Sequence, residues 1–217
     1  MNNVYIIKCL FFVAMSQDQK QEAILEAAIR RFAHFGVAKA TMAEIASDLS
    51  LSKASLYYYF PDKLSLYAAV IKKITSENEK QDEEDLAKEK DPFKALVLYL
   101  ERRTDFIIRY YNILEFLRTF NPMRMPEPLE SVFIYLKKRE LARLTSVIEK
   151  GVSTGLFKIK DARKTAELLY EFLDGFRASL ALHGANFFPD KKQFQSILRK
   201  EIEFSLIFFN GLTIKKG

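Results

Sequence analysis

The sequence predicts an all-α fold, and three observations carry the prediction. Gly and Pro together number 13 of 217 residues, about 6% where ~12% is usual. None of Pro61, Pro92, Pro122, Pro126, Pro128 and Pro189 interrupts a periodic apolar segment. Apolar residues recur at helical spacing through most of the chain, and no strand alternation persists long enough to compete.

From the N-terminus, residues 1–15 form an extension of uncertain role. Its apolar stretch, 4–15, is broken by Lys8 and falls short of the ~18 to 20 residues needed to cross a bilayer. It fits a weak signal-like region, a membrane-surface anchor or a flexible extension, or translation starts at Met15; residues 1–14 are expected to add nothing to the fold. A first helix starts at Ser16, whose hydroxyl caps an amide while Gln19 reciprocates, and Ile24, Ala27, Ala28, Arg31, Phe32 and Phe35 follow at helical spacing. Gly36 stops it.

Thr41-Met42-Ala43-Glu44 is a second capping box, with Met42, Ile45, Ala46 and Leu49 as the buried stripe of a two-turn helix. After a tight connection at Ser50-Leu51, Ser52 caps a third short helix carrying Lys53, Ala54, Ser55, Leu56, Tyr57, Tyr58 and Tyr59. Phe60-Pro61-Asp62 ends it, because the residue before a proline is pushed out of the helical region. Asp62 then caps a fourth helix through Leu64, Tyr67, Ala68, Ile71 and Ile74. Two short helices joined by a turn cannot bury their apolar sides alone, so the first and fourth complete a small domain at 16–75.

The acidic run 77–91 marks a boundary, with 8 acidic and 3 basic residues over 76–91. It reads as the exposed end of one helix and the link to the next, or as a tether, and Pro92 closes it. Further helices are expected at 93–109, 112–120, 129–150, 162–183 and 191–210, with a Pro-containing break at 121–128 and Gly punctuation at Gly151, Gly155 and Gly184. The 22 basic and 14 acidic residues of 92–217, interleaved with apolar ones, are expected to form solvated faces.

The single cysteine, Cys9, excludes an intramolecular disulfide, and with His34 and His183 it makes no zinc-site spacing. No metal or cofactor is expected, the compartment reads as reducing and cytoplasmic, and no stable membrane association is expected. The net charge of +6 permits attraction to a polyanion without establishing it. There is no HExxH, glycine-rich phosphate loop, GxSxG elbow or His/Cys pairing, so an enzyme is not expected, and His34 is placed in or beside a helical core.

The third helix carries the sharpest signal. If Leu49, Leu56 and Phe60 face the core, then Lys53, Ser55, Tyr57 and Tyr59 lie toward the outside. A tyrosine offers a flat apolar ring and a hydroxyl for sugar, thymine methyl or phosphate, and Lys53 offers a charge or a base-edge donor. From spacing alone, duplex binding, helix packing and recognition of a protein partner all remain open.

Residues 23–71, AILEAAIRRFAHFGVAKATMAEIASDLSLSKASLYYYFPDKLSLYAAVI, closely resemble the N-terminal DNA-binding domain of the TetR/AcrR family of transcriptional regulators. Ala28 and Phe32 meet the helix 1 positions, Gly36 the first stop, Thr41, Ile45 and Ala46 the start of helix 2, Ser52 to Phe60 the recognition segment, and Lys63 the start of helix 4. Three departures are Leu49-Ser50-Leu51 for the usual Ala-Gly-Val turn, Ala54 for a Gly, and Tyr59 for a histidine.

The resemblance implies an N-terminal helix-turn-helix domain and a C-terminal helical ligand-binding and dimerisation bundle at 76–217. Lys53, Ala54, Ser55 and Tyr57 are then the candidates for contact with base edges, and Thr41, Tyr58, Tyr59 and Lys63 for contact with phosphates; Thr41 and Ser52 also read as helix caps. The implied function is a ligand-responsive regulator, a repressor released from a palindromic operator on double-stranded DNA by a small apolar or aromatic effector, with activation the other sign. Tyr99, Phe106, Tyr110, Phe116 and Phe133 are effector-pocket candidates, and Arg102, Arg103, Arg109 and Arg118 leave room for an anionic group. Leu169, Leu173, Phe176, Leu180, Phe194, Ile202 and Leu206 are homodimer-interface candidates.

Overall fold

The computed structural model describes residues 16–121, 124–183 and 191–214, and side-chain surroundings within these except at 180–183 and 191. The extension at 1–15 with Cys9, Pro122, the side chains of Leu180 and His183, and Gly184 and Pro189 lie outside the described residues. The described chain is helical: α1 Gln17–Phe35, α2 Met42–Asp48, α3 Lys53–Tyr59, α4 Lys63–Lys88, α5 Pro92–Arg109, α6 Tyr111–Leu114, a 3₁₀ turn Glu115–Thr119, α7 Glu127–Ser153, α8 Ala162–His183 and α9 Lys191–Leu212. None of these helices is long and apolar enough to cross a membrane.

Contacts divide the chain into two compact units, residues up to 77 with 110–134, and 78–109 with 135 onward. The first boundary falls two residues beyond the expected one, and 110–134, expected in the C-terminal bundle, pack with the first unit. There the Tyr67 hydroxyl donates to the Ile113 carbonyl at 2.7 Å, and the Asn112 amide donates to the Ala33 carbonyl at 2.8 Å. A buried phenol must find an acceptor, and this one finds it in the backbone of α6.

Both capping boxes form. Ser16 Oγ accepts from the Gln19 amide while Gln19 Oε1 accepts from the Ser16 amide, and Thr41 pairs with Glu44 in the same way. Such a box satisfies two of the amides that every helix start leaves unpaired. Gly36 ends α1 at φ 76°. Ile24, Ala28, Phe32, Ile45, Ala46, Leu56, Leu66 and Ile71 form the interior of the first unit. α1 and α4 are further joined by charge: the Lys73 ammonium meets the carboxylates of Glu22, Glu77 and Glu26. Phe35 and His34 are exposed rather than buried, because they fall on the outer face of α1, where Phe35 is covered by Arg31 with Cζ 5.1 Å from the ring centroid.

The acidic run is helical to Lys88, leaving a short link before α5. In the second unit, α5, α7, α8 and α9 enclose a core of Leu96, Leu100, Leu144, Ile148, Leu169, Leu173 and Phe209. Phe93, Phe157 and Phe209 meet edge to face, with centroids 5.2 to 6.0 Å apart. Phe157 also makes an antiparallel bridge with Thr213.

Candidate nucleic-acid interface

α3 buries one side chain of its seven. Leu56 is fully buried, while Lys53, Ala54, Ser55, Tyr57 and Tyr58 are exposed and Tyr59 is half-buried. Seven residues are too few for a helix to be stable alone. Its first turn is therefore secured by Ser52, whose Oγ accepts from the Ser55 amide at 3.0 Å and shares a hydroxyl hydrogen bond with Ser55 Oγ at 2.8 Å. Phe60, buried just after the helix, fixes its other end.

Tyr58 is 75% exposed, a large aromatic surface left mostly in water, its ring meeting that of Tyr59 edge to face at 5.2 Å. The Lys53 ammonium lies 5.7 Å from the centroid of the Tyr57 ring, so a cation and an aromatic face are offered side by side. Such a surface suits a polyanion whose bases present methyl groups and acceptors.

The connection between α2 and α3 turns at Ser50, which takes φ 58°. This left-handed conformation is one that glycine adopts at no cost and other residues adopt at a penalty. The departure from glycine therefore leaves the turn intact and the strain in it. Thr41 is exposed, but its hydroxyl already donates to Glu44 Oε2 at 2.8 Å and accepts from the Glu44 amide at 3.3 Å. The Thr41 hydroxyl first, and then the Thr41 amide, which donates to the same Oε2 at 2.9 Å, hold the Glu44 carboxyl below its ordinary value of 4.5.

Lys63 differs most from its expected role. Its ammonium donates to the carbonyls of Val37, Ala38 and Ala40 at 2.9, 3.2 and 3.1 Å. An ammonium has three N–H groups. All three are occupied in bracing the loop between α1 and α2, so Lys63 is not a free cation awaiting a phosphate.

The effector-pocket candidates are not gathered in one unit. Tyr99 is buried in the second unit with its hydroxyl donating to Glu140 at 2.6 Å, and Phe106 belongs to the same unit. Tyr110, Phe116 and Phe133 belong to the first, where Phe116 packs edge to face on both Tyr67 and Phe120 and Phe133 is exposed. An open groove of about 280 Å³ lies elsewhere, along Phe93, Val97, Leu98 and Leu206.

The dimer candidates divide by their burial in the single chain. Leu169 and Leu173 are buried in the core of their own unit, Ile202 packs against it, and Phe176, Phe194 and Leu206 are half-buried. Among the described residues, the large apolar side chains that α8 and α9 leave in water are Leu168, Phe172 and Ile207, with Phe204 stacked on Phe172. Of the α8 stripe read from spacing, Leu169 and Leu173 are covered by the chain itself and Phe176 is partly so.

The bacterial regulatory protein family named for tetR matches residues 24–70, the segment that builds α1 to α3 and the start of α4. Over the whole fold, a transcriptional regulator from Cytophaga hutchinsonii is 31% identical, with a TM-score of 0.75, covering 90% of this chain and 99% of that one. The chain belongs to the TetR family of transcriptional regulators. In this TetR-family chain α2 and α3 thus lie in the N-terminal helix-turn-helix segment. The HTH-type transcriptional regulator RutR of Escherichia coli is 44% identical over 55 residues, 25% of this chain and 26% of that protein, so the chain matches about a quarter of this curated relative's length. FadR from Thermus thermophilus, a TetR-family repressor solved in complex with lauroyl-CoA, shares the fold at 17% identity with a TM-score of 0.65, over 91% of this chain and 97% of that one.

Proposed function

We propose that this chain is a repressor, not an enzyme, that binds a pseudo-palindromic operator as a homodimer and leaves it when a small molecule binds. The observation that carries the reading is α3, which exposes Lys53, Ala54, Ser55, Tyr57 and Tyr58 while burying Leu56 alone. A twofold pair would set two copies of α3 in successive major grooves ~34 to 36 Å apart. Lys53, Ser55 and Tyr57 then read base edges, and Tyr58, Tyr59 and a re-aimed Thr41 hydroxyl meet phosphates. The exposed Leu168, Phe172 and Ile207 are the surface we assign to the second copy, since apolar groups of this size gain most by leaving water.

Release requires that the effector bind the DNA-free conformation more tightly than the DNA-bound one. The FadR complex supports the idea that a bundle of this fold accepts a small molecule. Selection of duplexes from a random pool by the purified full chain tests the reading. The expected result is enrichment of an inverted repeat, lost when Lys53 and Tyr57 are both replaced by Ala with folding retained. A folded dimer that selects no duplex would refute it and leave the Tyr57 to Tyr59 surface to a protein partner.

A further inference from the structure

Residues 16–77 carry eight basic side chains, and most are already engaged within their own unit. Arg31 meets Asp48 and Glu44, Lys73 meets Glu22, Glu26 and Glu77, and Arg30 meets Glu26. Lys72 donates to Ser131 Oγ at 3.3 Å, Lys63 donates to three backbone carbonyls, and Lys20 has an interaction of its own. Two ammonium groups meet no oxygen among the described residues. One is that of Lys53, which faces the Tyr57 ring; the other is that of Lys39, exposed in the loop between α1 and α2.

Lys39 springs from a fixed backbone. Val37 before it and Ala40 after it are buried, and the Ala40 amide donates to the Gly36 carbonyl at 3.2 Å. The carbonyls that Lys63 holds, those of Val37, Ala38 and Ala40, lie on both sides of Lys39. Lys63 opens α4 directly after the Phe60-Pro61-Asp62 turn that leaves α3. The loop of Lys39 is thereby bonded to the element that follows Tyr59, and Lys39 itself stands two residues before Thr41.

With Lys63 occupied, the other residues assigned to phosphates, Thr41, Tyr58 and Tyr59, are neutral hydroxyl donors. The salt-dependent attraction to a duplex comes from cations that release its counterions, and Lys53 is committed to base edges. We propose that Lys39 supplies the cation of the backbone contact, its ammonium donating to an operator phosphate beside those hydroxyls. A side chain rooted in fixed backbone, with its charge in water and no internal bond to break, brings a point charge to a phosphate at the cost of its own rotamers alone. The proposal rests on the operator-binding reading above and adds a residue to it.

The test follows binding of the full chain to the selected operator and to a shuffled duplex of equal composition, by fluorescence anisotropy from about 0.05 to 0.2 M KCl. With one phosphate per copy, Lys39→Gln should lower the slope of log affinity against log salt by ~0.9 per copy, ~1.8 for the dimer. Over that roughly fourfold rise in salt the wild type then loses about twelvefold more affinity than the variant. At low salt the variant should lose the same factor on both duplexes, because a phosphate contact carries no sequence information. Lys39→Arg should keep the wild-type slope, and so should Arg163→Gln, which removes an exposed charge from α8. Melting temperatures are expected to be unchanged throughout, since Lys39 is exposed. An unchanged slope in Lys39→Gln, a loss confined to the operator, or an equal fall in Arg163→Gln would overturn the proposal. A wild type that binds neither duplex refutes the operator reading itself, whereas a wild type that binds and is matched by Lys39→Gln at every salt concentration refutes only the role of Lys39.

Discussion

Replacing Gly151 by Ala separates two opposing effects by sign. A methyl at Gly151 would overlap the Phe157 ring, with Cγ at 2.6 Å and Cδ2 and Cε2 nearer still. The ring cannot retreat freely, because Phe93 and Phe209 meet it at centroid distances of 6.0 and 5.2 Å. The backbone is fixed as well: the Gly151 carbonyl accepts from the amides of both Leu156 and Phe157 at 2.9 Å. Helix propensity alone would make the substitution stabilising by about 1 kcal/mol. Overpacking a tight core costs ~1 to 3 kcal/mol, and an overlap this deep belongs at the upper end. The net expectation is a loss of about 2 kcal/mol, or roughly 4 to 8 °C in melting temperature for a chain of this size. Urea denaturation of wild type, Gly151→Ala, Phe157→Leu and the double variant measures it, and the smaller side chain should relieve most of the penalty. A Gly151→Ala protein as stable as the wild type, or more so, would refute the reasoning.

Four further outcomes follow from the same structure. Ser50→Gly, relieving the residue at φ 58°, should stabilise the chain by up to about 1 kcal/mol in denaturant melts. Lys63→Met should cost about 2 kcal/mol by freeing three carbonyls, yet leave the salt dependence of operator binding unchanged; a fall of ~0.9 in that slope would restore its role at a phosphate. Because the Glu44 carboxyl is held below 4.5, the stability it contributes is present above that pH and lost as pH falls through the lower folded-state value. The melting temperatures of wild type and Glu44→Gln should therefore converge as the pH falls through that folded-state value. Ile207→Lys, at a position 64% exposed, should leave the fold intact and yield monomers in sedimentation, the monomers binding operator more weakly than the wild type does.

What could be read in advance was local. Ser16 with Gln19, and Thr41 with Glu44, specify helix starts by residues three apart, and both boxes form where the spacing places them. Lys63 could not be read this way, since its partners are carbonyls 23 to 26 residues earlier and carbonyls leave no mark in a sequence. The same limit hid the interior of the second unit. Arg103, Glu140, Arg143, Arg177 and Glu201 sit at spacings that resemble a solvated face, yet their side chains are 81% or more buried. Only the convergence of four helices makes them partners. In α8, periodicity found an apolar stripe at Leu169 and Leu173; it could not say that the neighbours at Leu168 and Phe172 would be the ones left in water.

That α3 buries Leu56 alone of its seven residues has an evolutionary corollary. Substitutions at Lys53, Ala54, Ser55, Tyr57 and Tyr58 remove no side chain from the core, and only at Ser55 do they cost a hydroxyl hydrogen bond of the first turn, so a lineage can drift toward a new DNA target without passing through poorly folded intermediates. Libraries randomised at those five positions should retain foldable members throughout, making sequence preference a trait that selection tunes independently of thermal robustness.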